Sequence, residues 1–347
     1  MDRTELSTLG EFGLIKLISE GVKPVKKSTK MGIGDDAAVI QEGDQFSLLT
    51  TDMLMEGVHF DLSYAPLKHL GYKAAIANFS DIFAMNGVPE QILVSLGLSN
   101  RFSVEAIEEL YAGIKLACEI YEVDMVGGDT VSSKSGLVIS ITARGVVEQN
   151  KIAYRSGAKD KDILVVSGDL GAAYMGLQVL EREKAVYEST PGVQPDLEGY
   201  DYILERQLKP EARKDVVKLL DQVGVVPTSM IDISDGLASE TLHLADRSEM
   251  GLILYEEKIP IDPTVINTAE KFNIDPTLCA LNGGEDYELL FTISQGDFEK
   301  LKGNPNFSFI GHVSEGSASQ MIARDGSAHE LTAQGWDAFI KAKKENL

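Results

Sequence analysis

The chain has 347 residues, 44% hydrophobic and 25% charged, an ordinary globular composition that excludes disorder, a collagen-like repeat and a disulfide-built miniprotein. Its 54 Asp and Glu against 32 Lys and Arg give a formal charge of −22, which opposes tracking a phosphate backbone or lying on an anionic membrane. Nucleic acid and membrane are thereby excluded as main partners, whereas a polyanionic small molecule stays within reach if divalent cations stand between it and the protein.

The length exceeds the usual single domain of roughly 100 to 200 residues, so two domains are expected. Cys118 and Cys279 lie far apart and in no CxxC pair, which points to two core thiols and to neither a disulfide framework nor a Cys-built zinc site. The segment MDRTELSTLGEFGLIKL lacks a basic-then-apolar signal layout, and no run approaches the roughly 18 apolar residues of a membrane span. A reducing cytoplasm is the expected location.

In chain order, Ser47 to Thr51 is a short β-like run. Leu67 to Ala84, bounded by Pro66 and Gly87, has apolar Leu67, Leu70, Ala74 and Ala77 at helical spacing. Ile92 to Leu98 reads as a buried strand, Val104 to Tyr121 as an amphipathic helix starting after Ser103, and Leu137 to Val147 as a long strand. The turn-like SGAKDKD after Arg155 precedes a strand at Ile163 to Ser167, which sets a boundary near residue 150.

Beyond it, Leu170 to Arg182 should be helical. Ala185 to Tyr200, with Pro191, Gly192, Pro195 and Gly199, should be a loop. Strands are expected at Leu252 to Tyr255, Glu288 to Ile293 and Phe307 to Val313, and helices at Ala212 to Val223, Leu237 to Arg247 and Ala333 to Lys343. The fold class is α/β (α+β), with two mixed α/β domains spanning 1–150 and 151–347.

Surface acids usually sit among polar neighbours on helix faces, but several here end apolar strands or lie between glycines. They are Asp35 and Asp36 in GIGDDAAVI, Asp52 in LLTTD, Asp81 in ANFSD, Asp129 in VGGDT, Asp232 and Asp235 in IDISDG, and Glu285 with Asp286 in NGGEDYELLF. Each alone reads equally as a cap or turn residue. Gathered in one cleft, their repulsion requires protons or cations. Oxygen ligands without a His or Cys cluster point to magnesium, manganese or calcium, with magnesium favoured where phosphates share the site. IDISDG lacks the ligand density of a calcium-binding loop.

GIGDDA fits G-x-G-x-x-A, but it follows a polar stretch and carries two aspartates that repel phosphate, so it is no dinucleotide fingerprint. No P-loop motif is present. The Gly127–Gly128 and Gly283–Gly284 pairs would let backbone approach a phosphate, or are ordinary tight turns. Arg155 is a phosphate clamp or a plain linker charge. His59 is a hydrogen-bond donor to a ligand or structural. Trp336, the sole Trp, is a core anchor or a platform for a flat cation.

Together these motifs resemble thiamine-monophosphate kinase, within an ATP-binding superfamily that includes aminoimidazole ribonucleotide synthetase and selenophosphate synthetase. The resemblance runs in order through GEFGLI, GIGDDAAV, TTDMLMEGVHF, ANFSDIFAMNGVP, GGDT, RSGAKDKD, IDISDG, NGGEDYELLF and GWDAF. It implies ATP and thiamine monophosphate as substrates, several magnesium ions, and in-line transfer to a phosphate oxygen with no general base. It also implies a homodimer in which the N-terminal sheet pairs with that of a second subunit, with ATP near the interface.

By the same resemblance, Asp35, Thr50, Thr51, Asp52, Asp81, Asp129, Asp232 and Asp235 match metal-binding positions. Tyr111, Gly128, Asp129, Arg155 and Ser234 match ATP contacts, and His59, Glu285 and Trp336 match contacts to the thiamine phosphate. Asp36 matches the motif without an assigned role. Two alternatives remain: a purine-biosynthetic synthetase of the same superfamily, and a non-catalytic acidic metal-binding protein. A selenophosphate synthetase is disfavoured because no Cys precedes Cys118.

Overall fold

The structure is a computed structural model describing residues 5–190, 192–316 and 318–335. Its first half runs α1 (Gly10–Ser19), β1 (Thr29–Met31), β2 (Ala38–Glu42), β3 (Gln45–Met55), α2 (Leu67–Ala84), β4 (Val88–Leu98), α3 (Val104–Tyr121), β5 (Asp124–Ser132) and β6 (Val138–Glu148). These strands form a six-stranded sheet in the order β1-β2-β3-β6-β4-β5, antiparallel except for β4 beside β5.

The second half runs β7 (Ile163–Ser167), α4 (Ala172–Ser189), α5 (Asp201–Leu208), α6 (Lys214–Val223), β8 (Ser229–Asp232), α7 (Leu237–Ser248) and β9 (Gly251–Tyr255). It continues through α8 (Pro263–Lys271), α9 (Pro276–Asn282), β10 (Leu289–Ile293), α10 (Phe298–Leu301), β11 (Phe307–Ser314), β12 (Gln320–Ile322) and β13 (Ala328–Glu330). The seven-stranded sheet has the order β13-β12-β9-β11-β7-β10-β8.

The second sheet is buried on both faces, because successive residues of its central strands enter different cores. Val165, Met230, Leu289 and Phe291 join the cluster built on Leu48, Ile76, Phe79, Ile92 and Ile141 of the first half. Their neighbours Leu164, Val166, Ile231 and Leu290 pack with Leu237 and Leu244 of α7. One apolar core therefore spans both sheets.

α2 lies at the centre of that core, against α3, β3, β4, β6 and β8. Its crossing with α3 is close enough to demand glycine on both sides: a Cβ at Gly71 would lie 2.0 Å from the Leu110 carbonyl oxygen, and one at Gly113 1.8 Å from that of Lys68. α3 starts where expected, with Ser103 Oγ accepting from Ala106 N at 3.3 Å.

α2, α3 and β7 have the bounds expected from periodicity. α4 departs from expectation, continuing to Ser189 through a stretch expected to be a loop. Ala185 to Ser189 contains no breaker, and the Pro and Gly residues begin only afterwards. The long strand expected at Leu137 to Val147 is β6, which is internal, between β3 and β4. β1 and β5 are the two edges, and the polar, glycine-containing sequence of the exposed β5 hides its strand character. All but the first three residues of the helix expected at Ala333 to Lys343 lie outside the described residues, and Ala333 to Gly335 are not helical. Cys118 and Cys279 are buried and unpaired, and among the described residues no helix is long and apolar enough to cross a membrane.

Candidate active site

Three elements that share the common core bring carboxylates to one point. Asp36 comes from the loop before β2, Asp81 from the last turn of α2 and Asp232 from the end of β8, and one oxygen of each lies within 4.8 Å of the others. Thr50 Oγ1 donates to Asp81, Ser80 Oγ donates to Asp232 at 2.5 Å, and Asp52 N donates to Asn78 Oδ1 at 3.2 Å. These bonds orient the acids without neutralising them.

Burial, reinforced by Asp52, Asp232 and Asp36, holds the Asp81 carboxyl well above the ordinary range. Burial and then the Asp36 charge push Asp232 up to about 7, and burial pushes Asp52 up to about 6. Oδ2 of Asp36 and Oδ2 of Asp52 are buried without a hydrogen-bond partner. Buried orphan oxygens are costly. An all-oxygen donor set with orphaned lone pairs and mutual repulsion fits a hard divalent cation such as magnesium, and fits zinc poorly.

The cluster opens into a cleft of 820 Å³. Thr51, Asp52 and His59 line it from β3 and the turn that follows, and Asp81 from α2. Across from them stand Asp232, Ser234, Asp235 and Glu285 from the second half. His59 Nδ1 accepts from Met55 N at 3.0 Å, which fixes the ring. Glu285 N donates to Ser234 O at 2.7 Å, so the NGGEDY turn is tied to the IDISDG turn. Glu285 and Tyr287 have φ of 57° and 52°, a conformation that ordinary residues keep only where the surroundings enforce it.

Not every expected residue reaches this cleft. Tyr111, Gly128 and Asp129 line a separate hollow of 530 Å³ along β5. Gly128 there has a structural reason: a Cβ would lie 1.7 Å from the Val94 carbonyl oxygen of β4. Asp35 stands behind the triad, accepting from Arg155 N at 3.2 Å, while burial and Asp36 push its carboxyl up to about 7. Arg155 pairs with Asp36 Oδ1 at 2.6 Å, so it braces the acid loop. Trp336 lies outside the described residues.

Sequence reasoning assigns Asp36 no role and does not single out Glu240 or Lys73. Glu240 accepts from Asp235 N at 2.9 Å, shaping the IDISDG turn from beneath. Lys73 carries a legible signal, a lone cation inside the apolar run LGYKAAIANF. The signal for Glu240 is weaker, since a glutamate in a first helical turn usually serves only the helix dipole.

Residues 34–147 match the family model of AIR synthase related protein, N-terminal domain. The first half of the chain is thus an AIR synthase-related N-terminal domain. The chain is 38% identical over 336 residues to the thiamine-monophosphate kinase of Aquifex aeolicus, covering 96% of this chain and 99% of that one. It is 34% identical to that of Bacillus subtilis, over 95% and 100% of the two chains. A solved structure, AaThiL complexed with AMPPCP and TMP, superposes with a TM-score of 0.83 at 35% identity, over 98% of this chain and all of the other. The chain belongs to the thiamine-monophosphate kinase family, whose members are kinases with a phosphate acceptor.

Proposed function

We propose that this chain transfers the γ-phosphoryl group of ATP to the phosphate of thiamine monophosphate. An acceptor phosphate oxygen bonds to the γ-phosphorus as the bond to the β–γ bridging oxygen breaks, and ADP leaves with that electron pair. The observation that carries this reading is the convergence of Asp36, Asp52, Asp81 and Asp232 at the floor of a cleft that also holds His59 and Glu285.

Both reactants are anionic there, and the acceptor phosphate is already deprotonated near neutral pH, so positioning and charge stabilisation dominate and no base is needed. Asp36, Asp81 and Asp232 would hold magnesium, with Asp52 and Asp235 beside them in the cleft. When bound, the ion screens phosphate charge and stabilises the charge that moves in the transition state. Asp35, Thr50, Thr51 and Asp129 complete the ligand set that family resemblance implies. By the same resemblance Ser234 and Arg155 would meet the ATP tail, Arg155 while braced on Asp36, and His59, Glu285 and Trp336 would meet the acceptor.

Tyr111, Gly128 and Asp129 belong to the ATP site through a homodimer. β5 is an exposed edge with Met125, Val126 and Val131 open, and Leu93 is exposed on the adjacent β4. A second copy paired along this edge would cover these side chains and wall the hollow. In this arrangement residues 1–150 supply the dimer face and much of the metal site, and residues 151–347 complete the cleft. Two unpaired thiols suit a reducing cytoplasm.

Incubation with ATP, magnesium and thiamine monophosphate should yield thiamine diphosphate and ADP, with free thiamine inert, and the active species should sediment at twice the chain mass. Folded protein that forms neither product would favour the binding-protein alternative, and full activity in a monomer would remove the shared ATP site.

A further inference from the structure

One residue in the cleft wall, Lys73, has no part in the reaction as described. Lys73 sits in the apolar α2 with only 6% exposure. Its Nζ lies 2.8 Å from Glu285 Oε1 and donates to Gln207 O at 3.1 Å. Gln207 Nε2 in turn donates to Glu285 Oε2 at 3.1 Å. Each carboxylate oxygen of Glu285 thus has its own donor, one from α2 and one from α5, and the residue is held despite its unfavourable φ of 57°.

Leu70, Lys73, Ala77 and Asp81 all face the cleft, the stripe expected of one helical face. Lys73 and Asp81 are eight residues apart, about 12 Å along a rigid axis. α2 therefore sets the spacing between the acid cluster and the carboxylate at the other end of the cleft.

We propose that Lys73 is a positioning residue for the acceptor. It fixes Glu285 so that its carboxylate meets the cationic ring of thiamine monophosphate at a set distance from the acid cluster. This rests on the reading of the cleft as the acceptor site. Lys73 itself need not touch the acceptor; its effect runs through Glu285.

The test is a double-mutant cycle of Lys73→Met and Glu285→Gln, read by KM for each substrate, kcat and thermal unfolding. Lys73→Met should raise KM for thiamine monophosphate about tenfold and leave KM for ATP unchanged. In the Glu285→Gln background the same change should have little further effect. Lys73→Arg should restore most of the loss. Additive effects, or equal rises in both KM values, would overturn the proposal. Should Lys73→Met not fold, Lys73→Gln is read by the same split. Calorimetric titration with thiamine monophosphate alone separates the two layers: a wild type that binds but does not turn over breaks the kinase reading, while unchanged binding in the Lys73 variants breaks this one.

Discussion

Two sets of buried carboxylates, one within the NGGEDYE segment and one at the floor of the cleft, differ in how their oxygens are satisfied. In the scaffold set, Glu288 accepts from Ser167 Oγ at 2.5 Å, from Arg206 Nη1 at 3.0 Å and from Arg213. Asp286 accepts from Gly171 N at 2.8 Å and Ala173 N at 3.4 Å, at the start of α4. In the cleft set, Asp36 has the guanidinium of Arg155 on one oxygen, while the other oxygen, like one of Asp52, has no partner. Burial lifts both Asp286 and Asp232 to about 7, but Arg206 pulls the first down and Asp36 pushes the second up. Burial alone does not mark a functional acid. Orphaned oxygens and like-charged neighbours do.

The contrast predicts opposite outcomes for two charge-removing substitutions. Asp81→Asn should cut kcat by about a hundredfold or more at saturating magnesium, the scale of losing one electrostatic stabiliser at a reacting centre. It should also raise the melting temperature of the metal-free protein near neutral pH, because it removes a carboxyl whose ionised form, free in the unfolded chain, is opposed in the native state by burial and then by Asp52, Asp232 and Asp36. A lower melting temperature with activity intact would place Asp81 among the scaffold acids. Glu288→Gln should do the reverse. It removes the carboxylate that Arg206 and Arg213 share, leaving Arg206 with Asp286 at 3.9 Å and Arg213 with Asp215 at 2.8 Å, and should cost about 3 kcal/mol in urea unfolding while kcat of the folded enzyme stays near wild type.

Much of this is legible in sequence where one period dominates. α2 and α3 are long and bounded by punctuation, so their ends are as expected. The acids are legible because a charge that follows an apolar run is costly to bury unless a counter-charge or a cation meets it, which singles out Asp52, inside β3, and Asp232, at the end of β8. The choice between Asp35 and Asp36 is not legible. Adjacent residues point different ways, and only the position of Arg155, 119 residues later, decides which carboxylate is braced toward the triad. Nor is the separation of Asp129 from the cleft legible, since it depends on β5 lying at the sheet edge, a long-range pairing with no local signal. Lys73 shows the converse case, in which a lone cation in an apolar helix is visible but its partner, Glu285, lies in the other half of the chain.

The finest test of the comparison is the pH dependence of Asp286. Its unfolded carboxyl releases a proton near 3.8, while burial, outweighing Arg206, keeps the folded one protonated up to about 7. Between those values the native state binds more protons than the unfolded chain, so this residue's contribution is fully present below about pH 4 and is lost as pH rises through about 7, by about 1 kcal/mol per pH unit at most steps of the window. Asp286→Asn removes the titration and keeps an acceptor for the Gly171 amide. Urea midpoints of the two proteins from pH 4 to 8 should therefore diverge, with wild type losing ground to the variant up to pH 7 and holding a constant offset above it. Titrations common to both proteins, the cleft acids included, cancel in this difference. If wild type instead gains on the variant as pH rises, Arg206 outweighs burial, Asp286 is a net stabilising ion pair, and the two sets of acids differ more sharply than their shared burial suggests.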